Sequence, residues 1–203
     1  MNRHTVIIPT LALSERAEML KRAIHSAREG NRTPISVIVV VNGQRFDAAL
    51  VAWLMQADAV RVVHLETPGS PGAILAGRLA VDTESFSYLD DDDEYLPGAV
   101  DARLAPFAGS EDVDIVVSNG FRRQGAAQEL ALSNLANVSA DPLAALFKEN
   151  WLPSCAAAFR TATVPGLFFR ELPRHIHWSF LAYRLAMAGR RVGVVLDPGY
   201  VIN

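Results

Sequence analysis

The chain has a single cysteine, Cys155, among its 203 residues. One cysteine excludes an internal disulfide framework and a cysteine-rich metal site within the chain, and this usage is typical of cytosolic proteins. No apolar stretch reaches the ~20 residues that are needed to cross a bilayer. The first residues show no signal-peptide pattern. The sequence therefore predicts a cytoplasmic protein without an anchor of its own.

Positive charge is also scarce in this sequence. The 22 aspartates and glutamates outnumber the 19 lysines and arginines, which gives a net charge of -3 and a pI near 5.9. A general nucleic-acid binder usually has a basic surplus that neutralises phosphates, so this class is disfavoured. Hydrophobic residues make up 50% of the chain. That proportion supports a packed core, and the length fits one domain.

Several nucleotide-binding and hydrolase motifs are missing from the sequence. It contains no G-x-G-x-x-G, no Walker loop, no G-x-S-x-G and no H-E-x-x-H. A nucleotidyltransferase ordinarily has a glycine-rich, lysine-containing loop after its first strand. The corresponding residues 10–13 read Thr-Leu-Ala-Leu, so we rank that class last.

Short apolar runs alternate with segments of helical period through the first half of the chain. The predicted strands are 5–8, 35–41, 60–65 and 86–89, and the predicted helices are 14–28, 47–57 and 73–81. We expect Pro9 to end the first strand, because proline cannot donate to a ladder, and Ser14 to cap the first helix. This alternation predicts a mostly parallel central sheet with helices on both faces, and ligands bind at the carboxyl ends of such strands.

The second half is less regular. A strand is predicted over 112–118, a hairpin or mobile loop over 121–140, and a helix over 141–148. A further strand is predicted over 154–160, a helix over 178–188 and a last strand over 191–196. No repeat or linker separates these segments from the first half.

Five acids in a row, residues 90–94, directly follow the fourth predicted strand. Adjacent like charges raise one another's pKa, so such a run favours a counter-charge, and a divalent cation prefers carboxylate oxygen. Alternate residues project the same way, so Asp90 and Asp92 are expected to face one ligand. Their role would be to hold Mg²⁺ or Mn²⁺ between two phosphates and to offset charge on a diphosphate leaving group. The alternative is a solvated loop that caps a helix near Pro97.

Three segments resemble the GT-A glycosyltransferases of family 2. Residues 5–10 (TVIIPT) resemble the family's opening strand, and residues 36–44 (SVIVVVNGQ) resemble its second strand and base-reading turn. Residues 87–97 (SYLDDDDEYLP) resemble its DXD segment. The match is specific over residues 5–100 and weaker beyond, where residues 178–195 are similar to the late helix and strand.

The resemblance implies one GT-A, Rossmann-like domain of the nucleotide-diphospho-sugar transferase type over residues 1–203. Residues 1–100 would bind the nucleotide and residues 101–203 the acceptor. The implied activity is inverting transfer from a nucleotide-diphosphate sugar, with Mn²⁺ or Mg²⁺ as cofactor. The acceptor would be a sugar, a lipid-linked molecule or a small molecule, and no nucleic-acid partner is expected. A homodimer is compatible with the sequence.

The resemblance also implies roles for individual residues. Those expected to contact the nucleotide-sugar are Pro9, Thr10, Asn42, Asp90 and Asp91. Asn42 would approach the base, and Asp90 would meet the ribose or a metal-bound water. Asp92 would bind the metal together with Asp90, and Asp93 would lie nearby.

Two positions in the nucleotide half depart from the family pattern. The family's acid pair after the second strand is replaced here by Val41-Asn42, and an asparagine amide presents both a donor and an acceptor to a base. The family's Arg-Asn in the third helix falls on Ile74 and Leu75. Arg78 lies one turn later and is the candidate substitute for that contact.

The third departure concerns the general base that inverting transfer needs. The family keeps an acidic pair just before the late helix, whereas residues 174–179 read Arg-His-Ile-His-Trp-Ser without a carboxylate. His177 is the first candidate base, because histidine titrates near neutral pH, and Glu171 is a weaker one. His175 is a candidate third metal ligand. A non-catalytic nucleotide-sugar-binding or assembly protein on the same fold is the alternative.

Overall fold

The computed structural model describes residues 3–125 and 127–203, and over these ranges the strands form one mixed sheet. The strands are β1 (His4–Thr10), β2 (Ile35–Asn42), β3 (Val60–Leu65), β4 (Ser85–Tyr88), β5 (Glu94–Tyr95), β6 (Ile115–Gln124), β7 (Ala127–Leu130), β8 (Ala157–Arg160) and β9 (Val192–Ile202). The helices are α1 (Ala17–Ser26), α2 (Ala48–Gln56), α3 (Ser70–Leu79), α4 (Ala99–Gly109), α5 (Pro142–Leu146) and α6 (His177–Met187). Short 3-10 turns cover Ser14–Arg16, Leu135–Asn137 and Gly166–Phe169.

The strand order is β3-β2-β1-β4-β8-β6-β9-β5, with β7 paired to β6. Strands β1 to β4 pair in parallel, and β9 is parallel to β6. Strand β8 lies antiparallel between β4 and β6. The third crossover reverses the direction taken by the first two, so right-handed connections place α3 on the face opposite α1 and α2. The predicted mostly parallel α/β architecture is confirmed.

The central strands are buried because their sequences are almost wholly apolar. Val6, Ile7 and Ile8 in β1 are fully buried, as is nearly all of the 37–41 run in β2. Such runs suit strands that are covered on both faces. Helix α3 packs closely on them because Gly77 has no side chain. A Cβ at that position would lie 2.3 Å from Ile7 Cγ2. The strands β1 and β2 therefore form the rigid base from which the loops at their carboxyl ends extend.

Some sequence predictions of element boundaries were wrong. Strand β1 includes Pro9 and ends at Thr10. Its pairing with β4 stops at Tyr88, opposite Ile7, so residue 9 does not need an N–H to bond that strand. Ser14 makes no capping hydrogen bond; it opens a 3-10 turn, and α1 begins at Ala17. The last strand, β9, continues beyond residue 196 to Ile202 through an irregular register with β6.

Helix α2 lies close to its predicted range of 47–57. The side chain of Asp47 accepts a hydrogen bond from Leu50 N at 2.8 Å and so caps α2. Part of the 121–140 segment, for which a hairpin or a mobile loop was predicted, is a hairpin in which Phe121 pairs with Leu130. Among the described residues, no helix is long and apolar enough to cross a membrane.

His4 is expected to make stability depend on pH. It is fully buried, with Nδ1 2.9 Å from Ser85 Oγ and Nε2 2.9 Å from Ser87 Oγ. Burial, helped by the positive charge of Arg103, lowers the His4 pKa from 6.5 to about 3. Below pH 6.5 the unfolded chain binds a proton at His4 that the folded chain does not bind. The His4 side chain therefore destabilises the fold progressively as the pH falls.

Urea unfolding at pH 7 and pH 5 measures the effect of His4. We expect the protonation difference at His4 to lower the free energy of unfolding by about 2 kcal/mol from pH 7 to pH 5. The His4→Gln variant should lack that loss, whereas the contributions of other titrating groups, such as Asp93, are common to both proteins and cancel in the difference. The same pH dependence in both proteins would contradict the assignment.

Candidate functional site

Polar side chains gather where β1, β2 and β4 end. Thr10 is the last residue of β1, Asn42 is the last of β2, and the acidic run 90–94 follows β4 after Leu89. Because these strands are adjacent and parallel, their carboxyl ends lie at one edge of the sheet. The structure therefore brings together three of the features that the sequence placed at strand ends.

An arginine supplies a counter-charge to the acidic run. Asp91 is buried and accepts hydrogen bonds from Thr10 Oγ1 at 2.5 Å and from Arg16 Nε at 3.2 Å. Arg16 Nη2 also contacts Asp91 and lies 3.0 Å from an Asp92 oxygen. The hydrogen bonds and charges of both carboxylates raise the Arg16 pKa. Sequence reasoning missed Arg16; its position in the turn after β1, close to Thr10, is the signal that could have identified it.

Asp90 has no such arginine. Its Oδ2 accepts a hydrogen bond from Ser154 Oγ at 2.6 Å, just before β8. Burial raises the Asp90 pKa; the Ser154 hydrogen bond opposes this rise, while the negative charges of Asp92 and Asp91 add to it. The charge of His177 lowers the same pKa. A buried carboxylate with like-charged neighbours favours a bound cation.

Asp93 points away from this edge, into the protein. It is buried, and its Oδ1 accepts a hydrogen bond from Asn203 N at 3.0 Å. Burial, together with the charges of Asp90 and Asp92, raises the Asp93 pKa to about 7. The neighbouring Cys155 is fully buried as a free thiol. Asp93 therefore has a structural position, and Asp90 and Asp92 are the aspartates of the run that stay partly accessible.

Asp90 and Asp92 fit a hard divalent cation. The Asp92 side chain is 39% exposed, and Asp90 keeps Oδ1 available because Ser154 occupies Oδ2. Over residues 3–125 and 127–203, no group of three or more His, Cys, Asp or Glu side chains converges as a metal site. Mg²⁺ commonly takes one or two carboxylates, with substrate phosphates and water as its other ligands. His175 is exposed in the loop before α6 and belongs to no such group.

A group of polar contacts surrounds Asn42 at the end of β2. Its Oδ1 accepts a hydrogen bond from Gly69 N at 2.9 Å, which ties the loop before α3 to the sheet. His64 Nε2 donates to Gly43 O at 2.7 Å and so fixes the neighbouring turn. Since the acceptor half of the Asn42 amide is occupied, this side chain offers N–H donors to a ligand.

Arg78 is placed elsewhere. Its Nε donates to Val164 O at 3.0 Å and its Nη2 donates to Thr161 O at 2.9 Å. The guanidinium also lies over the Phe86 ring at 4.6 Å. Thr161 follows the antiparallel strand β8, at the edge opposite the acidic run. The structure therefore gives Arg78 a role in joining α3 to the segment after β8, and it does not bring Arg78 to the carboxyl edge.

His177 begins α6 beside the acidic run. The Trp178 ring packs against Tyr88, the last residue of β4, with centroids 5.1 Å apart. His177 Nδ1 lies 3.1 Å from Arg174 O. Because a carbonyl oxygen can only accept, Nδ1 is assigned the proton and Nε2 keeps its lone pair. This tautomer can take a proton from a ligand at Nε2.

Glu171 lies apart from these groups. It is exposed, has a φ of 53°, and lines a cavity of about 420 Å³ with Leu167, Phe168, Arg170 and Arg184. A larger cleft of about 480 Å³ lies at the amino-terminal edge of the sheet, around Pro34, Ser85 and Arg160. Neither cavity contains a residue of the acidic run.

Comparison with known proteins gives one family and one fold. The model of the family described as Glycosyl transferase family 2 matches residues 5–169. An uncharacterised glycosyltransferase of Rickettsia conorii is 27% identical over 120 residues, which are 58% of this chain and 20% of that protein. The chain thus spans a fifth of that relative's length.

The solved structures that we compared share the fold at low sequence identity. The crystal structure of S. aureus TarS 1-349 in complex with UDP superposes with a TM-score of 0.73 at 15% identity, over 98% of this chain and 60% of that one. The same portion of TarS in complex with UDP-GlcNAc gives a TM-score of 0.71 at 16% identity, over 98% and 58%. This chain therefore spans less than two thirds of each TarS chain.

Proposed function

The chain belongs to glycosyl transferase family 2, and from this membership we propose that it moves a sugar from a nucleotide-diphosphate sugar to an acceptor, with inversion at the anomeric carbon. One observation carries the proposal: at the carboxyl edge of the parallel strands, Asp90 and Asp92 each have one carboxylate oxygen held by the protein and keep the other for a ligand. S. aureus TarS, which shares the fold, binds UDP and UDP-GlcNAc, and this supports a nucleotide-sugar donor.

Asp90 and Asp92 would hold Mn²⁺ or Mg²⁺, and the donor diphosphate is proposed to lie beside these two carboxylates. When bound, the cation supplies positive charge that offsets the charge developing on the diphosphate leaving group. Arg16 holds Asp91 and pairs with Oδ2 of Asp92, so it orients the run and leaves Asp92 Oδ1 for the cation. Thr10 fixes Asp91 from the β1 side.

The polar contacts around Asn42 mark the proposed site of the base. Pro9 and Thr10 end the strand beside it and form the proposed floor for the nucleotide. The Asn42 amide offers donors, since its oxygen holds Gly69. Donors suit a base that presents carbonyl oxygens, as uracil does. Thymine presents the same oxygens, and the UDP bound by TarS is the reason to propose a uridine nucleotide first.

His177 is the proposed general base. Its Nε2 is the unprotonated nitrogen, and the ring begins α6 close enough to Asp90 for the two to interact electrostatically. On taking the acceptor proton the imidazole becomes positive, and the Asp90 carboxylate stabilises that charge. Glu171 is the weaker candidate because it lines a different cavity.

The two halves of the chain have different proposed roles within one domain. Residues 1–100 supply Thr10, Asn42 and the acids for the donor, and residues 101–203 supply Ser154 and His177 on the acceptor side. The acceptor is proposed to be a sugar, a lipid-linked molecule or a small molecule. The single free cysteine favours a cytoplasmic location.

A non-catalytic sugar-nucleotide binder is the second candidate function. The observation that favours it is the loop 174–179, which has no carboxylate where the family keeps an acidic pair. Both candidates bind a donor, but only an enzyme releases the free nucleotide diphosphate. Release of UDP at a rate above the spontaneous one would therefore exclude the binder.

A thermal-shift screen of UDP-, GDP- and TDP-sugars, each with and without Mn²⁺, tests the donor site directly. A donor at a hundredfold excess over its dissociation constant adds about 2.7 kcal/mol of stability, so the correct nucleotide should raise the melting temperature by several degrees. The rise should depend on Mn²⁺ and be largest for UDP-sugars. Unchanged melting temperatures with all three classes would contradict the proposal.

A further inference from the structure

The late part of the chain has the opposite charge balance from the rest. Residues 150–196 contain one acid, Glu171, and the following arginines: Arg160, Arg170, Arg174, Arg184, Arg190 and Arg191. The whole chain has a net charge of -3, so the remainder is strongly acidic. Such asymmetry within one chain is typical of a surface that meets an anionic partner.

Helix α6 and the residue before it present an apolar stripe to the outside. The stripe consists of residues spaced by four, three and four positions, which places them on one face of the helix: Ile176, Phe180, Tyr183 and Met187. Ile176 is 59% exposed, Tyr183 44% and Met187 59%, whereas Phe180 is partly buried and packs against the core. The opposite face of α6 is buried in the core through Leu181 and Leu185. We call this stripe the α6 face.

Arginines flank the α6 face directly. The guanidinium of Arg184 lies 4.6 Å from the Phe180 ring centroid and donates to Phe168 O at 3.2 Å. Arg190 lies over the Phe168 ring at 5.4 Å. Arg170 contributes its carbonyl to Arg184 and keeps its own side chain exposed. These contacts connect the arginines and the apolar stripe into one surface.

One acid, Glu171, lines a cavity with Arg170 and Arg184, so this surface keeps a surplus of positive charge. Over the described ranges 3–125 and 127–203, the ion pairs involve none of Arg170, Arg174, Arg184 and Arg190. A contiguous apolar stripe beside unpaired arginines is the pattern of helices that lie in the interface of an anionic bilayer. A second copy of this chain could bury the same stripe, so the oligomeric state is one readout of the test below.

We propose that the α6 face, with Arg170, Arg174, Arg184 and Arg190, is a docking surface for an anionic phospholipid membrane. The apolar side chains would enter the headgroup region and the guanidinium groups would contact lipid phosphates. This proposal does not depend on the sugar-transfer activity. It orients the chain, because α6 begins at His177, beside the acidic run, and the carboxyl edge would adjoin the lipid surface.

Vesicle sedimentation tests the docking surface with the whole chain. Vesicles of phosphatidylcholine mixed with phosphatidylglycerol should sediment the protein at low salt, and vesicles of phosphatidylcholine alone should not. Each of Arg170→Gln and Arg174→Gln should weaken binding about fivefold, equivalent to ~1 kcal/mol per charge. Met187→Glu should weaken it roughly tenfold or more. All three side chains are exposed, so folding is not at risk.

Matched controls separate this surface from general effects of charge and polarity. Met55→Glu places the same change on the exposed part of α2, and Arg32→Gln and Arg61→Gln remove exposed arginines elsewhere. These variants should bind vesicles like the unchanged chain. Met187→Glu should also keep the donor-dependent thermal shift, so failure of docking and failure of donor binding are distinguishable.

Three results would overturn the proposal. The first is the absence of sedimentation with anionic vesicles at low salt, and the second is equal binding to both vesicle types. The third is a dimer of the unchanged chain that Met187→Glu converts to a monomer in light scattering without any lipid binding, because the α6 face would then be a contact between copies of the chain.

Discussion

Replacing Asp92 by Asn is expected to lower the rate of sugar transfer by about 10²–10³-fold, because the cation that stabilises the leaving diphosphate loses a charged ligand. Donor binding should also lose its dependence on Mn²⁺. The fold should persist, since Asp92 is partly exposed and its partner Arg16 keeps its bonds to Asp91. Titration of the UDP-sugar with and without Mn²⁺, together with release of UDP, measures both effects.

Asp82→Asn is the matched control for this substitution. Asp82 is exposed and pairs with Arg61 at 3.7 Å, away from the carboxyl edge. Its replacement removes the same charge from the chain and should leave transfer unchanged. If Asp92→Asn kept the Mn²⁺ dependence of the unchanged chain, the cation would have to bind elsewhere and the proposed donor site would be wrong.

Replacing His177 by Ala is expected to slow transfer by about 10²–10⁴-fold, which is the usual contribution of a positioned general base. The dissociation constant of the donor should stay nearly the same, because the proton is taken from the acceptor. Steady-state rates at saturating donor, compared with donor titrations, separate these two quantities. Added imidazole should restore part of the rate, since it fits the space left by the missing ring.

His25→Ala controls for loss of a histidine as such. His25 is exposed on α1, and its replacement should change neither the rate nor the response to imidazole. Equal transfer rates for His177→Ala and the unchanged chain would remove His177 as the base. A large loss of rate without rescue by imidazole would instead indicate that His177 positions α6 beside the acids.

The donor half of the fold could be predicted from sequence because its signals are local. The β-branched apolar run 37–41 favours a covered strand, and the Asn42-Gly43 turn follows it directly. The acidic run begins two residues after β4 ends at Tyr88, so the strand pattern alone placed it at the carboxyl edge. Periodicity and turn residues determine such features without reference to distant parts of the chain.

The environment of the acids could not be predicted, because it depends on contacts between distant residues. Arg16 meets Asp91 across 75 positions, and Asn203 meets Asp93 across 110. Ser154 reaches Asp90 only because β8 is inserted beside β4. Sequence reasoning assumed that a cation alone would neutralise the run, whereas the protein itself compensates Asp91 and buries Asp93. The metal, the base and the remaining contacts of the donor stay predictions.

The antiparallel pairing of β8 with β4 has a consequence for the way such a protein changes over generations. The start of β8 meets the end of β4, so one of the seams between the two halves of the chain lies beside Asp90. Inherited substitutions near Ser154 would therefore change the partner of Asp90 Oδ2 while the residues of β1 and β2 stay as they are.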